Sequence, residues 1–167
     1  MALISGELKN IWEEADYINP ASETEISNAE ARLGVTFPSS LRKQLEIQNG
    51  GELIFCCWCE QAEGLSFEFV ADSTVDGILP VEDWELASQN DWFSNNEEIS
   101  NPELLISIAG HSEDQLCLDY RKNGPAGEPG ITAFFITQSP PEINSYESIT
   151  RLMNDIIQFK ETHEPPE

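Results

Sequence analysis

The stretch ISNAEARLGVTFPSSL, residues 26–41, carries the strongest fold signal in this chain of 167 residues. Apolar side chains recur at helical spacing from Ile26 to Leu33, and the S-E-T-E of residues 22–25 is a capping-box pattern that marks the start of a helix. Gly34 suits the left-handed residue that ends such a helix. The stretch therefore predicts a helix, a short extended link, and a second helix that begins near Ser39.

The sequence on either side predicts further helices. Residues 5–18 place apolar side chains at helical spacing, and a closing amphipathic helix is predicted over residues 148–160. Asn49-Gly50-Gly51 is expected to end the helix from Ser39, because glycine enters positive φ freely. Residues 81–93 are predicted to form one mid-chain helix.

Between the helices, period-two patterns predict strands. These cover residues 52–59, 65–71, 104–110, 115–121 and 131–137. Because the helices are clustered rather than alternating with single strands, the order favours an α+β fold over a doubly wound one. We predict one domain over residues 1–160, with a mainly antiparallel or mixed sheet of about five strands packed with the N-terminal helices, the mid-chain helix and the C-terminal helix. Residues 161–167 are predicted to be a flexible acidic tail.

Charge is distributed very unevenly along the chain. The net charge is −23, and residues 44–120 contain no lysine or arginine but hold 17 of the 31 acids. Nucleic acid and anionic membranes are poor partners for such a chain, because both require lysine or arginine to neutralise phosphate. The acidity either keeps the protein soluble or provides a negative surface for a basic partner, such as a nuclease with a phosphate-binding cleft.

The N-terminal sequence and the cysteines predict a cytoplasmic protein. MALISGELKNIWEE lacks the basic and apolar regions of a signal peptide, and no run approaches the ~18 apolar residues of a membrane span. Cys56, Cys57 and Cys59 lie in the apolar run LIFCCWC, and Cys117 is distant. A C-x-C with a distant cysteine could bind a soft metal, but without C-x-x-C knuckles we favour buried thiols that act as small hydrophobes.

The sequence gives little support for catalysis. No phosphate-binding loop is present, and NGG lacks the lysine that such a loop needs. His111 and its neighbours Ser112, Glu113 and Asp114 are consecutive turn residues, which do not converge on a substrate as residues from separate elements do. We therefore predict no catalytic residues, no cofactor and no metal. An enzyme with a carboxylate site stays as an alternative, because such pairs are defined by spacing across a cleft.

Several motifs in sequence order resemble the SUKH superfamily, which includes a fungal cell-wall-assembly regulator and many bacterial immunity proteins. They are I-x-x-A-E-x-x-L-G-V-x-F-P-x-x-L from Ile26, the NGG of residues 49–51, Leu79-Pro80 with Trp84, and ISIAG followed by LCLDY (residues 106–110 and 116–120). The resemblance covers about residues 5–160. The chain departs from the pattern at the turn after ISIAG, which is usually glycine-rich and here reads HSED, and at Leu41, where an aromatic is common.

The resemblance implies a protein that acts by stoichiometric binding. It is similar both to immunity proteins that neutralise a cognate toxin and to the regulatory module of the fungal regulator. From the charge we expect a basic, nuclease-like protein toxin as the partner. We further expect a monomer or weak homodimer. Aromatic side chains within the acidic region are expected to anchor the partner. Besides Trp92, the candidates are Trp58, Trp84 and Phe93, although a core position is favoured for both Trp58 and Trp84. The predicted contact region consists of Glu82, Asp83, Glu85, Asp91, Trp92, Glu97, Glu98, Glu113 and Asp114.

Two acids outside that region have structural interpretations. Glu30 is expected to pair with Arg32, Arg42 or Lys43, or to cap a neighbouring turn. Asp119 is an acid inside an otherwise apolar strand. We favour a role for it as an acceptor for loop amides at the sheet edge.

Overall fold

The computed structural model describes residues 12, 19–51, 78–110, 114–135 and 142–162. The described residues form four α-helices, five strands and three short 3-10 helices. The α-helices are α1 (Glu23–Leu33), α2 (Ser39–Ile47), α3 (Asp91–Ser94) and α4 (Ile149–Thr162). The strands are β1 (Glu85–Leu86), β2 (Leu105–Gly110), β3 (Asp114–Asp119), β4 (Gly130–Phe135) and β5 (Glu142–Tyr146). The 3-10 helices are Val81–Asp83, Ala87–Gln89 and Pro102–Leu104.

The two helices predicted from residues 22–47 are confirmed. The Ser22 side chain accepts from the Glu25 amide at 3.1 Å, and the Glu25 carboxylate accepts from the Ser22 amide at 2.8 Å, which completes the capping box. Gly34 ends α1 at φ 73°, the left-handed conformation expected there.

The sheet is an antiparallel meander in the order β1-β2-β3-β4-β5. Its register places Ile106 opposite Leu118, and Leu118 opposite Ile131, so apolar side chains line up on one face. A bulge between Ser107 and Ala109 interrupts the pairing of β2 with β3. The α+β class and the antiparallel sheet are therefore confirmed.

Apolar side chains pack in two clusters. The larger cluster joins α1, α2 and α4 to one face of the sheet, and its bulkiest members include Phe37, Trp84 and Tyr120. The smaller cluster brings the 87–99 segment against the sheet. It consists of Ala87, Phe93, Ile99, Leu105, Cys117 and Phe134. The segment that carries many of the acids is thus held by a core of its own.

The prediction of one continuous helix over residues 81–93 is wrong. The segment is instead a 3-10 turn, the two-residue strand β1, a second 3-10 turn and the short helix α3. Glu85 and Leu86 pair with Ser107 and Ile106 of β2. Main-chain pairing with the sheet therefore replaces the i→i+4 hydrogen bonds that the apolar spacing had indicated.

The closing helix and three of the strands were predicted correctly, whereas two strands were missed and several predictions lie outside the described residues. The closing helix is confirmed as α4, which extends to Thr162. Strands β1 and β5 were not predicted, whereas β2, β3 and β4 match predicted strands. The predicted helix over residues 5–18 and the predicted strands over 52–59 and 65–71 lie outside the described residues, apart from Trp12. The domain boundaries and the flexible tail stay predictions.

Candidate interaction surface

Six of the predicted contact acids are exposed side chains on one continuous stretch of chain. They are Glu82, Asp83, Glu85, Asp91, Glu97 and Glu98, and we call them the acidic surface. The stretch runs from the first 3-10 turn through β1 and α3 to the loop that follows. Among the described residues, none of these carboxylates forms an ion pair with a lysine or arginine. Within the described part of the chain, no cation neutralises their charges, although the Glu82 carboxylate accepts a hydrogen bond from Asn49.

The side chains of the remaining three predicted contact residues lie outside the described part of the structure. Trp92 lies in α3 and Asp114 is the first residue of β3, but their side chains are outside the described part. Glu113 lies outside the described residues, as do His111 and Trp58. These three contact residues stay predictions.

Two of the further aromatic candidates are core residues. Trp84 is 1% exposed, donates from Nε1 to the Leu79 carbonyl at 2.7 Å, and packs edge-on against Phe37 with ring centroids 5.4 Å apart. Phe93 is also 1% exposed and packs edge-on against Phe134 at 5.2 Å. The core alternative for Trp84 is therefore confirmed, and Phe93 is not available as an anchor for a partner.

The start of the acidic surface is bonded to the turn after α2. Buried Asn49 accepts at Oδ1 from the Val81 amide and donates from Nδ2 to the Glu82 carboxylate, each at 2.8 Å. The neighbouring Gly50 has φ 97°, and a Cβ there would lie 2.6 Å from the Ile78 carbonyl oxygen. Only glycine fits this approach, so the NGG turn sets how closely the two segments pack.

A shallow groove of about 610 Å³ lies beside the α1–α2 junction. Within it the Glu30 carboxylate accepts from the Phe37 amide at 2.7 Å and pairs with Arg42. Its pairing with Arg42 and its role as a cap are both confirmed. The groove is lined by Glu30, Ala31, Gly34, Val35, Thr36, Phe37, Arg42, Pro125 and Ala126.

The Asp119 carboxylate accepts several hydrogen bonds from nearby residues of the sheet and the turn that follows β3. It accepts from the Arg121 main-chain amide at 3.1 Å, from the Arg121 guanidinium at 2.7 and 2.9 Å, and from the Thr132 hydroxyl at 2.8 Å. Burial acts to raise the pKa of Asp119, but the hydrogen bonds from Arg121 and Thr132 together outweigh it and hold the pKa below its ordinary value. The predicted role as an acceptor for loop amides holds for one amide, that of Arg121, whereas the predicted place at the sheet edge is wrong because β3 is the central strand of the five.

Cys117 is the one cysteine within the described residues, and it is a free, fully buried thiol. Burial raises its pKa, and the Asp119 carboxylate acts in the same direction. The thiol therefore stays protonated and unreactive. Cys56, Cys57 and Cys59 lie outside the described residues.

Across the described ranges, no group of three or more His, Cys, Asp or Glu side chains could hold a metal ion. The helices in the same ranges include none with the length and apolar character that a bilayer crossing requires.

Comparison with protein-family models identifies the family of this chain. The model of the SMI1 / KNR4 family (SUKH-1) matches residues 20–161. The chain belongs to this family. Proteins of the SUKH family are protein–protein interaction modules, and they are generally non-enzymatic immunity or regulatory proteins. A comparison with curated proteins finds no match.

In this SUKH-1 chain the motif residues build the fold. Glu30 joins the link after α1 to Arg42 on α2, Gly34 ends α1, and Gly50 allows the close approach to Ile78. The contacts that Arg32 and Asn49 make with the start of the acidic surface were not predicted from the sequence. Asn49 belongs to the NGG motif, which is the signal that could have found it, whereas no sequence pattern indicates the contacts of Arg32.

Proposed function

We propose that this SUKH-1 chain is an immunity protein that binds and neutralises a cognate bacterial toxin, with a basic nuclease as the expected partner. The observation that supports the proposal is the acidic surface, whose six exposed carboxylates form no ion pair with a described cation. Unpaired like charges on one stretch of chain repel each other and destabilise the compact state, so the fold gains no stability from them. Binding to a positively charged surface gives them a use.

The acidic surface would act in two ways. Its field would attract a basic nuclease during diffusion, because electrostatic steering raises association rates to about 10⁸–10⁹ M⁻¹s⁻¹ at low salt. Once bound, its carboxylates would occupy the positions that nucleic-acid phosphates take in the toxin cleft. Inhibition would then come from occlusion, with no chemical step.

The test uses a triple variant that removes three charges from the acidic surface: Asp83→Asn, Glu85→Gln and Glu97→Gln. Glu82 is left unchanged because it accepts a hydrogen bond from Asn49. The partner to test is a protein with a nuclease-like C-terminal region encoded beside this chain. We expect the variant to associate about tenfold more slowly at low salt, and to show a shallower dependence of affinity on salt.

A matched control removes the same number of charges elsewhere: Glu23→Gln, Glu46→Gln and Glu147→Gln. All three side chains are exposed. Of these, Glu147 is paired with Lys122 at 3.7 Å, and that pair is largely exposed (69% and 74%), so it contributes little to stability. If both triple variants lose the same amount of association rate, net charge alone matters and the acidic surface is not the contact region.

Cell growth tests the immunity role itself. Expression of the chain should protect cells from the toxin, and protection should fall in the first triple variant. A complex whose affinity ignores salt would refute the charge mechanism but leave immunity intact. Absence of protection, together with capture of a non-toxic host protein, would favour the alternative that the family allows, a regulatory interaction module. Turnover of a substrate that one carboxylate substitution abolishes would favour an enzyme instead.

A further inference from the structure

Arg32 on α1 bonds to main-chain carbonyls rather than to a carboxylate. Its Nη1 donates to the Trp84 carbonyl at 2.7 Å, and its Nη2 donates to the Val81 carbonyl at 3.2 Å, with a longer contact of 3.4 Å to the Glu82 carbonyl. A guanidinium is suited to this arrangement because its planar fork offers five donors in fixed directions. One exposed side chain of α1 thus holds three carbonyls at the start of the acidic surface.

Asn49 binds the same segment through the Val81 amide and the Glu82 carboxylate, which Arg32 does not contact. As described above, its Oδ1 accepts a hydrogen bond from the Val81 amide, and its Nδ2 donates one to the Glu82 carboxylate. Asn49 follows α2 and Arg32 belongs to α1, so the two residues reach the segment from separate elements. We call Arg32 and Asn49 the positioning pair.

We propose that the positioning pair fixes the main chain of residues 81–85 in the conformation that presents Glu82, Asp83 and Glu85 to a partner. The segment has the apolar spacing of a helix, and in a helix the Val81 and Glu82 carbonyls would accept from the amides four residues later. Instead, the Val81 carbonyl accepts from the Trp84 amide at 3.3 Å in a 3-10 turn, Arg32 donates to both carbonyls, and Asn49 accepts from the Val81 amide. The chain then pairs with β2 as β1, so that Glu82 and Asp83 lie in the 3-10 turn and Glu85 lies in the strand.

This inference rests on the proposed function, because the segment that the positioning pair fixes belongs to the surface proposed to bind the toxin. A surface that is ordered before contact loses less conformational entropy on binding. The positioning pair touches no partner in this scheme. It acts through the acids that it places, so Arg32 and Asn49 are positioning residues for recognition.

Amide hydrogen exchange tests the inference on the free protein, with no partner present. The variant is Arg32→Met, and its control is Arg151→Met, which removes the same charge from an exposed site on α4. We expect the Asp83 and Trp84 amides to exchange about tenfold faster in Arg32→Met, since several charge-assisted hydrogen bonds are lost there. The amides that pair β3 with β4 should keep their rates in both variants.

A conservative variant, Arg32→Lys, separates positioning from packing. A lysine ammonium retains donors for one or two of the carbonyls, so its exchange rates should fall between those of the wild type and Arg32→Met. Unchanged rates at Asp83 and Trp84 in Arg32→Met would overturn the inference. Equal acceleration across β3 and β4 would also overturn it, because Arg32 would then stabilise the whole fold rather than the segment.

Protection against the toxin encoded beside this chain completes the test. Folded Arg32→Met should protect cells less well than Arg151→Met, and Arg32→Lys should recover part of the difference. Full protection by Arg32→Met, despite faster local exchange, would overturn the positioning role. If the wild-type chain itself gives no protection, the proposed function fails. The exchange result would still decide whether Arg32 fixes the segment.

Discussion

Replacing Gly50 by alanine tests whether the NGG turn sets the approach between the end of α2 and the chain before the acidic surface. Gly50 has φ 97°, and a Cβ there would lie 2.6 Å from the Ile78 carbonyl oxygen and 2.9 Å from the Leu79 carbonyl group. The Ile78 oxygen also accepts from the Gly51 amide at 2.8 Å, and the Ile78 amide donates back to Gly51 at 2.8 Å. The clash is with main-chain atoms, so no flexible side chain can relieve it.

The size of the effect follows from two contributions. Positive φ costs a residue with a Cβ about 1–2 kcal/mol. A shift large enough to relieve the clash would break the two Gly51–Ile78 hydrogen bonds, at about 1 kcal/mol each. The free energy of unfolding of Gly50→Ala should therefore fall by about 3–4 kcal/mol, which corresponds to a melting temperature lower by roughly 6–16 °C in a chain of this size.

Gly34→Ala is the matched control. Gly34 has φ 73°, but a Cβ there would meet no atom within 4 Å. Only the backbone strain applies, and the free energy of unfolding should fall by about 1–2 kcal/mol. Urea unfolding followed by tryptophan fluorescence measures both variants. If Gly50→Ala is destabilised no more than Gly34→Ala, the contact between a Cβ at position 50 and Ile78 has no energetic weight, contrary to the expectation.

Three further predictions concern single groups. Because Asp119 is held as an anion below its ordinary pKa, Asp119→Asn should lower the free energy of unfolding at pH 7 by about 2 kcal/mol. Stability from a lowered pKa is lost with acid, so in urea melts the difference from wild type should shrink as the pH falls below 3.8, and a constant difference would contradict this account. Cys117 should resist iodoacetamide in the native protein at pH 8 and react after unfolding, as read by peptide mass spectrometry; native labelling would show that the thiol is accessible. Glu128 accepts from the Ser148 hydroxyl at 2.7 Å and the Thr150 amide at 3.0 Å at the start of α4, so Glu128→Ala should lower the free energy of unfolding by about 1 kcal/mol in chemical denaturation, whereas the same change at exposed Glu147 should have little effect.

The sequence predicted best where the determinants are local. The capping box at Ser22 and the glycine after Leu33 act over a few residues, so their pattern gave the bounds of α1 nearly correctly. The helix predicted over residues 81–93 failed because its apolar spacing fits both a helix and the observed turns. Tertiary hydrogen bonds decided between them.

The same contrast applies to the candidate site. Exposure of the acids could be predicted, since charged side chains are rarely buried without a partner. The contacts of Arg32 could not, because they join α1 to carbonyls about fifty residues away and depend on main-chain atoms that every residue carries. Strand β5 was missed because EINSY lacks the strong apolar alternation of β4.

The sequential order of the sheet has a consequence for how the protein is synthesised. Each strand pairs with the next one along the chain, so the sheet from β1 to β5 involves mainly local contacts and should form rapidly once its residues are available. Helices α1 and α2 leave the ribosome before the strands, however, and their apolar sides pack on a core to which β2, β3 and β4 contribute. We therefore expect the N-terminal helices to remain uncovered until the meander is complete, which makes the nascent chain most prone to aggregation between the synthesis of α2 and that of β5.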